Sequence, residues 1–152
     1  MNCKVILLFA LTTSAAANAA DTTIADVKEW YMTAYAPLWA EKTWDKQEEI
    51  FSYYASEITY HGADGTLSVE QSDEWLSTSI ETWKAEGWLG SDVPAIHVEL
   101  LNPATATFKS KWRDRYADGS EAFSCGWYLA DKIDGAWQFT QYADIECSEH
   151  DL

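Results

Sequence analysis

The side chains of this chain that titrate most readily near neutral pH are His61, His97 and His150. Only His61 stands in a run that could form a site, Tyr60-His61-Gly62. Its ring could pass a proton there, yet strand alternation turns it to the face opposite Tyr60, where a surface or turn contact is its plainer role. His97 and His150 have no partner in sequence. No H-x-x-x-H, H-E-x-x-H or paired C-x-x-C spacing occurs, so no metal and no cofactor is expected. Neither a G-x-S-x-G turn nor a phosphate-cradling glycine loop is present, which leaves nucleophilic triads and nucleotide chemistry without support.

The richest chemical signal is aromatic: 9 Trp and 8 Tyr among 152 residues. Most of these must fill a core, since each ring buries on the order of 150–250 Å². The sharper expectation is that Tyr31, Tyr35, Tyr60, Trp112 and Trp127 line a cavity, their polar tips directed at a small apolar or ring-shaped ligand. Charge narrows the partners further. Lys plus Arg number 10 against 25 Asp plus Glu, a formal net charge of -15, so no nucleic acid and no anionic membrane surface is expected.

Residues 1–19 carry Lys4, an apolar run from Val5 to Leu11, and small residues ending in Ala17-Asn18-Ala19. This is the layout of a secretory signal peptide cut after Ala19, so an exported domain over residues 20–152 is expected, periplasmic or secreted. Cys3 leaves with the leader, and Cys125 and Cys147 remain. In an exported chain they suggest a disulfide. A tight turn at Asp134-Gly135 would set Cys125 opposite Asp144, or opposite Ala143 with a three-residue loop, leaving Cys147 about 10–14 Å off register. A bridge then requires a bulge or a tail that folds back.

The elements that must position these residues can be read from period and caps. Thr23 with Asp26 makes a capping box, and Ile24, Val27, Tyr31, Ala34 and Leu38 recur on one helical face until Pro37 ends it. A second short helix is expected from about Thr43, with Trp44, Ile50, Phe51 and Tyr54 apolar and Glu48-Glu49 solvated. Residues 57–61 alternate as a strand, Gly62 to Gly65 turn, and a third helix is expected from Ser68, capped with Gln71, to near Gly87. Gly90 to Pro94 reads as a loop. Strands then follow at about 95–101, 104–117, 120–132 and 136–147, divided by Asn102-Pro103, Asp118-Gly119 and Asp134-Gly135. This is a single α+β domain.

A two-residue turn at Asp118-Gly119 pairs Trp112 with Cys125, Ser110 with Trp127 and Phe108 with Leu129 on one inner face. Lys109, Lys111, Arg113 and Arg115 then face outward, beside Ser124 and Tyr128. For the last hairpin, a three-residue loop turns Trp137, Phe139, Gln141, Ala143 and Ile145 inward, whereas a two-residue loop turns Thr140, Tyr142 and Asp144 inward. Apolar matching favours the first. The expected inner wall therefore includes Trp112, Trp127 and Gln141.

The order helix, helix, short hairpin, helix, long antiparallel strands resembles the nuclear transport factor 2-like superfamily, in its SnoaL-like and ketosteroid-isomerase-like branches. The local run Tyr54-Ala55-Ser56-Glu57-Ile58-Thr59-Tyr60-His61-Gly62, with Gly65, is similar to a stretch of that superfamily, as is Asp134-Gly135-Ala136-Trp137. The resemblance implies three N-terminal helices packed on a curved, mostly antiparallel sheet as a cone with a pocket, and a homodimer formed through the outer sheet face. It also implies that the isomerase base would fall at Gly62 and its second carboxyl near Trp127 or Tyr128, so ketosteroid isomerisation is not expected. By similarity to SnoaL-like cyclases, Asp144 is the stand-in for an acidic base, with His61 as the other candidate and Tyr60 as hydrogen-bond donor. Isomerisation, cyclisation or dehydration would follow from such a site. A non-catalytic binding or dimerisation module is the alternative.

Overall fold

The structure, a computed structural model, describes residues 22–41 and 46–148. The leader cleavage point, Cys3, Thr43, Trp44 and His150 lie outside the described residues. Helix α1 (Ile24–Trp30) starts at the expected capping box: the Thr23 side chain accepts from the Asp26 backbone and Asp26 answers the Thr23 N–H at 2.8 Å. Beyond it the expected helical face is redistributed. Pro37 has no N–H to give, and the chain relaxes into a π-helical turn over Tyr31–Tyr35 followed by a 3₁₀ turn over Ala36–Trp39. Wider winding brings Tyr35 into the core beside Tyr31, while Ala34 is half-buried and Ile24 stays 51% exposed. Helix α2 (Gln47–Phe51) keeps Glu48 and Glu49 in solvent and buries Ile50.

Strands β1 (Tyr54–His61) and β2 (Leu67–Gln71) form a hairpin, and helix α3 (Ser72–Ala85) follows directly. Ser68 is therefore no helix cap. Ser68 to Gln71 pair with Tyr60 to Glu57, because alternating Leu67, Val69 and Gln71 complete a ladder before the helical period begins at Ser72. Strand β3 (Trp88–Asn102) likewise runs through the expected loop at Gly90–Pro94, absorbing Pro94 in an irregularity between Asp92 and Ala95. With β4 (Thr105–Tyr116), β5 (Glu121–Ile133) and β6 (Ala136–Ile145), the order is β2-β1-β6-β5-β4-β3. All neighbours are antiparallel except β1 with β6, which closes the chain's first strand against its last.

Two registers differ from expectation, and they decide which residues face inward. The β4–β5 connection closes with Tyr116 donating its N–H to Ser120 and Gly119 its N–H to Tyr116, so three residues, Ala117 to Gly119, form the loop. Gly119 at φ 83° supplies the left-handed position that such a loop requires. The ladder slides by one: Trp112 faces Ser124, Ser110 faces Gly126 and Phe108 faces Tyr128. In the last hairpin Ile133 pairs with Ala136 across a two-residue turn, but a bulge at Thr140 shifts the register between Ala130 and Leu129. Neither simple alternative holds: Phe139 points inward before the bulge, and Tyr142 and Asp144 point inward after it.

The same bulge sets Cys125 opposite Ile145, only two residues from Cys147. The tail beyond β6 closes the disulfide Cys125–Cys147 with 5.3 Å between Cα atoms. Between helices and sheet lies a core of Val27, Tyr31, Tyr35, Ile58, Phe108 and Phe139, all fully buried. Burial of this order, about 25 cal/mol per Å² of apolar surface, holds the helical layer on one sheet face.

Candidate functional site

A cavity of about 390 Å³ opens between that helical layer and the inner sheet face. Its roof comes from Tyr35 and Trp39 of the N-terminal turns and from Trp75, Ser79 and Trp83 of α3, which follow one another every four residues along one helical face. Its floor is the inward row of the sheet. On β4 the alternation that buries Ala106, Phe108 and Ser110 carries on to Trp112 and Asp114, so that carboxyl reaches the cavity by simple period two.

One polar station is centred on Asp144. Tyr60 Oη donates to its Oδ2 at 2.5 Å and Tyr142 Oη to its Oδ1 at 2.8 Å. The two tyrosine rings stack nearly parallel, 7° between planes, and Trp75 leans on both at 5.6 and 5.5 Å. Parallel pairing of β1 with β6 sets Tyr60 beside Tyr142 and thereby makes the station. Burial first, then the hydrogen bond to Asp144, pushes the Tyr60 hydroxyl up to about 12, and burial carries Tyr142 well above the ordinary tyrosine range. Both phenols are thus neutral donors at pH 7.

Gly126, opposite Asp144 on β5, leaves room for this arrangement. A Cβ there would lie 2.8 Å from Tyr142 Cε2 and 3.0 Å from Tyr128 Cε2, so any side chain would displace the rings that frame the carboxylate.

A second station lies two strands away on the same face. Asp114 accepts from Ser91 Oγ at 2.5 Å and Ser124 Oγ at 2.8 Å, and the Trp88 indole N–H donates to Ser91 Oγ at 2.9 Å. Tyr116 lies beside it, its hydroxyl pushed up by burial and then by the charges of Asp114 and Glu86. Trp39, Trp83 and Trp88 form a cluster of rings 5.7–6.2 Å apart around this end.

Of the residues singled out from sequence, Tyr35, Tyr60, Trp112 and Asp144 line the cavity. Tyr31 is core beneath it, stacked on Phe108 with its hydroxyl donating to Ser110 at 3.0 Å. His61, Trp127 and Gln141 belong to the other sheet face: Trp127 pairs with Lys109 and Ala143, Ala143 with His61, and Gln141 with Leu129. The one-residue slide at Gly119 turns Trp127 outward and the Thr140 bulge does the same for Gln141. His97 is exposed on β3, 3.4 Å from Glu99.

Sequence reading passed over Asp114, Ser91, Tyr128 and Tyr142. The signal for Asp114 was present in the alternation Phe108, Ser110, Trp112, Asp114 against Lys109, Lys111, Arg113, Arg115. For Tyr128 and Tyr142 it was hidden, since a loop length and a bulge fix their face. Among the described residues no group of three or more His, Cys, Asp or Glu is gathered to hold a metal.

The comparisons fit this architecture. Two structures of unassigned function with a cystatin-like fold are similar: one from Nostoc punctiforme, 15% identical, covering 82% of this chain and 92% of its own with a TM-score of 0.61, and one from Caulobacter vibrioides, 14% identical, covering 83% and 91%, also at 0.61. A structure from Xanthomonas campestris named "putative polyketide cyclase" is 14% identical over 75% of this chain and 85% of its own, with a TM-score of 0.53. No curated protein matches the chain. The model of the family described as NTF2-like protein (DUF6841) matches residues 25–144, which run from the first turn of α1 to Asp144 itself. The chain belongs to that NTF2-like family.

Proposed function

We propose that the cavity binds a small molecule with a largely apolar, ring-bearing body, and that Asp144 performs acid/base work on it. The observation that carries this reading is the Asp144 carboxylate on an aromatic wall, each oxygen accepting from a tyrosine that keeps its proton at neutral pH. In the catalytic cycle Asp144 takes a proton from a carbon next to a carbonyl of the ligand. The C–H electron pair becomes a carbon–carbon double bond as the carbonyl π pair moves to oxygen, Tyr60 turns its O–H from Asp144 to that oxygen, and Asp144 returns the proton at a different atom. Isomerisation, cyclisation and dehydration all begin this way, and the Xanthomonas structure named for polyketide cyclisation shares the fold. His61, on the outer face, takes no part.

A binding module without turnover is the second reading, favoured by one specific feature: both oxygens of Asp144 are already engaged by tyrosines. The Cys125–Cys147 bridge supports an exported chain, since such bonds persist in oxidising compartments. Phe123, 55% exposed beside Lys111 on the outer face, supports pairing of two copies through that face.

The test uses 1-tetralone as probe. Tryptophan emission is expected to quench saturably in the native chain and not in Ser79→Trp, which fills the cavity. Solvent deuterium is expected to enter the probe's α-carbon in the native chain and not in Asp144→Asn, at unchanged affinity. Quenching with no Asp144-dependent exchange leaves the binding module. Absence of saturable quenching overturns both readings.

A further inference from the structure

Sorting of charge between the two sheet faces is complete on β4. Lys109, Lys111, Arg113 and Arg115 all point away from the cavity, and Arg113 and Arg115 are held outside by Asp92, at 3.0 and 2.7 Å. Among the described residues that line the cavity there is no Lys, Arg or His, whereas Asp114, Asp144 and Glu86 are all present. Those carboxylates stand among aromatic rings, not among cations.

We propose that the ligand of this cavity is an organic cation, a quaternary or protonated ammonium on a ring-sized apolar body, with its positive end in the cage of Tyr60, Trp75 and Tyr142 against Asp144. The inference rests on the cavity reading above and names the ligand class for it. Three physical arguments lead to it. First, a neutral apolar ligand would strip water from Asp144 and Asp114 and return nothing to their charges, whereas a cation returns a Coulomb partner. An anion would meet the same carboxylates as repulsion.

Second, the faces of aromatic rings attract cations, most strongly where water is excluded, and the stacked pair Tyr60–Tyr142 with Trp75 across it offers three such rings around one carboxylate. Third, the tyrosine hydroxyls donate into Asp144 and hold its carboxylate in place, each oxygen keeping a further lone pair for a partner in the cavity. A metal ion is a poorer match: it would need several free oxygen or nitrogen ligands converging, and the cage supplies ring faces and one carboxylate. The chain's net charge of -15 further favours the approach of a cation.

Benzyltrimethylammonium and its uncharged carbon isostere neopentylbenzene separate this inference from the reading beneath it, with phenylacetate as the anion. Binding is read by tryptophan quenching in the native chain, in Asp144→Asn and in Ser79→Trp. The cation is expected to bind about tenfold or more tightly than the isostere. That ratio is expected to fall severalfold in Asp144→Asn, the three rings retaining the remainder, with phenylacetate bound by neither. Equal or tighter binding of neopentylbenzene, abolished in Ser79→Trp, overturns the cation inference and leaves the apolar cavity standing. A preference for the cation that survives intact in Asp144→Asn also overturns it. Failure of every probe to quench the native chain overturns the cavity reading and this inference together.

Discussion

Opening the Cys125–Cys147 bridge is expected to cost stability in an amount fixed by chain length. The two cysteines are 22 residues apart and enclose the β5–β6 hairpin. In the chain-entropy account, closing a 22-residue loop removes about 3.4 kcal/mol of denatured-state freedom at 25 °C. Urea titration measures it directly. With a slope of roughly 2 kcal/mol per M for a domain of this size, the midpoint of Cys125→Ser/Cys147→Ser is expected about 1.7 M below that of the oxidised chain, and reductant should bring the native chain to the same value. Thiol counting before the titration confirms that the starting material is bridged. Coincident midpoints for oxidised and double-serine chains would refute the reasoning, because the hairpin would then be closed in the denatured state without the bond. Because Cys147 follows Asp144 by three residues, the same variant is expected to speed amide exchange at 144–146, the end of the strand that carries the carboxylate.

Gly126→Ala forces a Cβ to 2.8 Å from the Tyr142 ring, an overpacking expected to cost about 1–3 kcal/mol in thermal or urea unfolding and to weaken ring-probe binding; retention of both would show that the rings have room to move. In alkaline titration followed at 295 nm, no tyrosine is expected to ionise as low as its ordinary value: burial raises Tyr53 and Tyr116, carries Tyr60 and Tyr128 up to about 12, and holds Tyr31, Tyr35, Tyr54 and Tyr142 well above the ordinary range. Since the folded values are raised, their contribution to stability is full below pH 10 and lost as pH rises through the folded values, so cooperative unfolding is expected at the alkaline end and none attributable to tyrosine below pH 9. Thr23→Ala removes the α1 cap and is expected to lower stability by about 1 kcal/mol without changing probe affinity, because the cap lies outside the cavity lining.

Much of the fold was legible because its signals are local. Thr23 and Asp26 lie three residues apart and cap α1 as their types dictate; the turn glycines mark the hairpins; and the alternation from Phe108 to Trp112 marks an inward row. The misread pieces are those where a local signal competes with a ladder. Ser68 and Gln71 have the spacing of a capping box, yet tertiary pairing with Tyr60 and Glu57 claims them as strand. Gly90 to Pro94 has loop composition, yet β3 runs through it against β4. Local propensity loses wherever a neighbouring strand offers a full set of hydrogen bonds.

The site was legible only in part, and the reason is parity. Tyr60, Trp112 and Asp144 were named from sequence, and Asp144 was nonetheless assigned outward, because a strand residue's face depends on counting every residue between it and its turn. One extra residue at Ala117–Gly119 and one at Thr140 each invert everything downstream. The two inversions act on different strands and meet at one place: the first turns Tyr128 and Ser124 inward on β5, the second turns Tyr142 and Asp144 inward on β6, and these are the residues that surround Gly126. Without the bulge at Thr140, Gln141 and Ala143 would face the cavity, Asp144 would join Lys109 and Trp127 on the outer face, and Cys147 would lie too far along to reach Cys125. Leaving Thr140 unpaired thus places the carboxylate, aligns its tyrosine donors and closes the disulfide. Deleting Thr140 is therefore expected to keep probe binding and the bridge together, since Gln141 then follows Phe139 opposite Leu129 with Asp144 still opposite Gly126 and Ile145 opposite Cys125; loss of either by quenching or thiol counting would refute the parity argument.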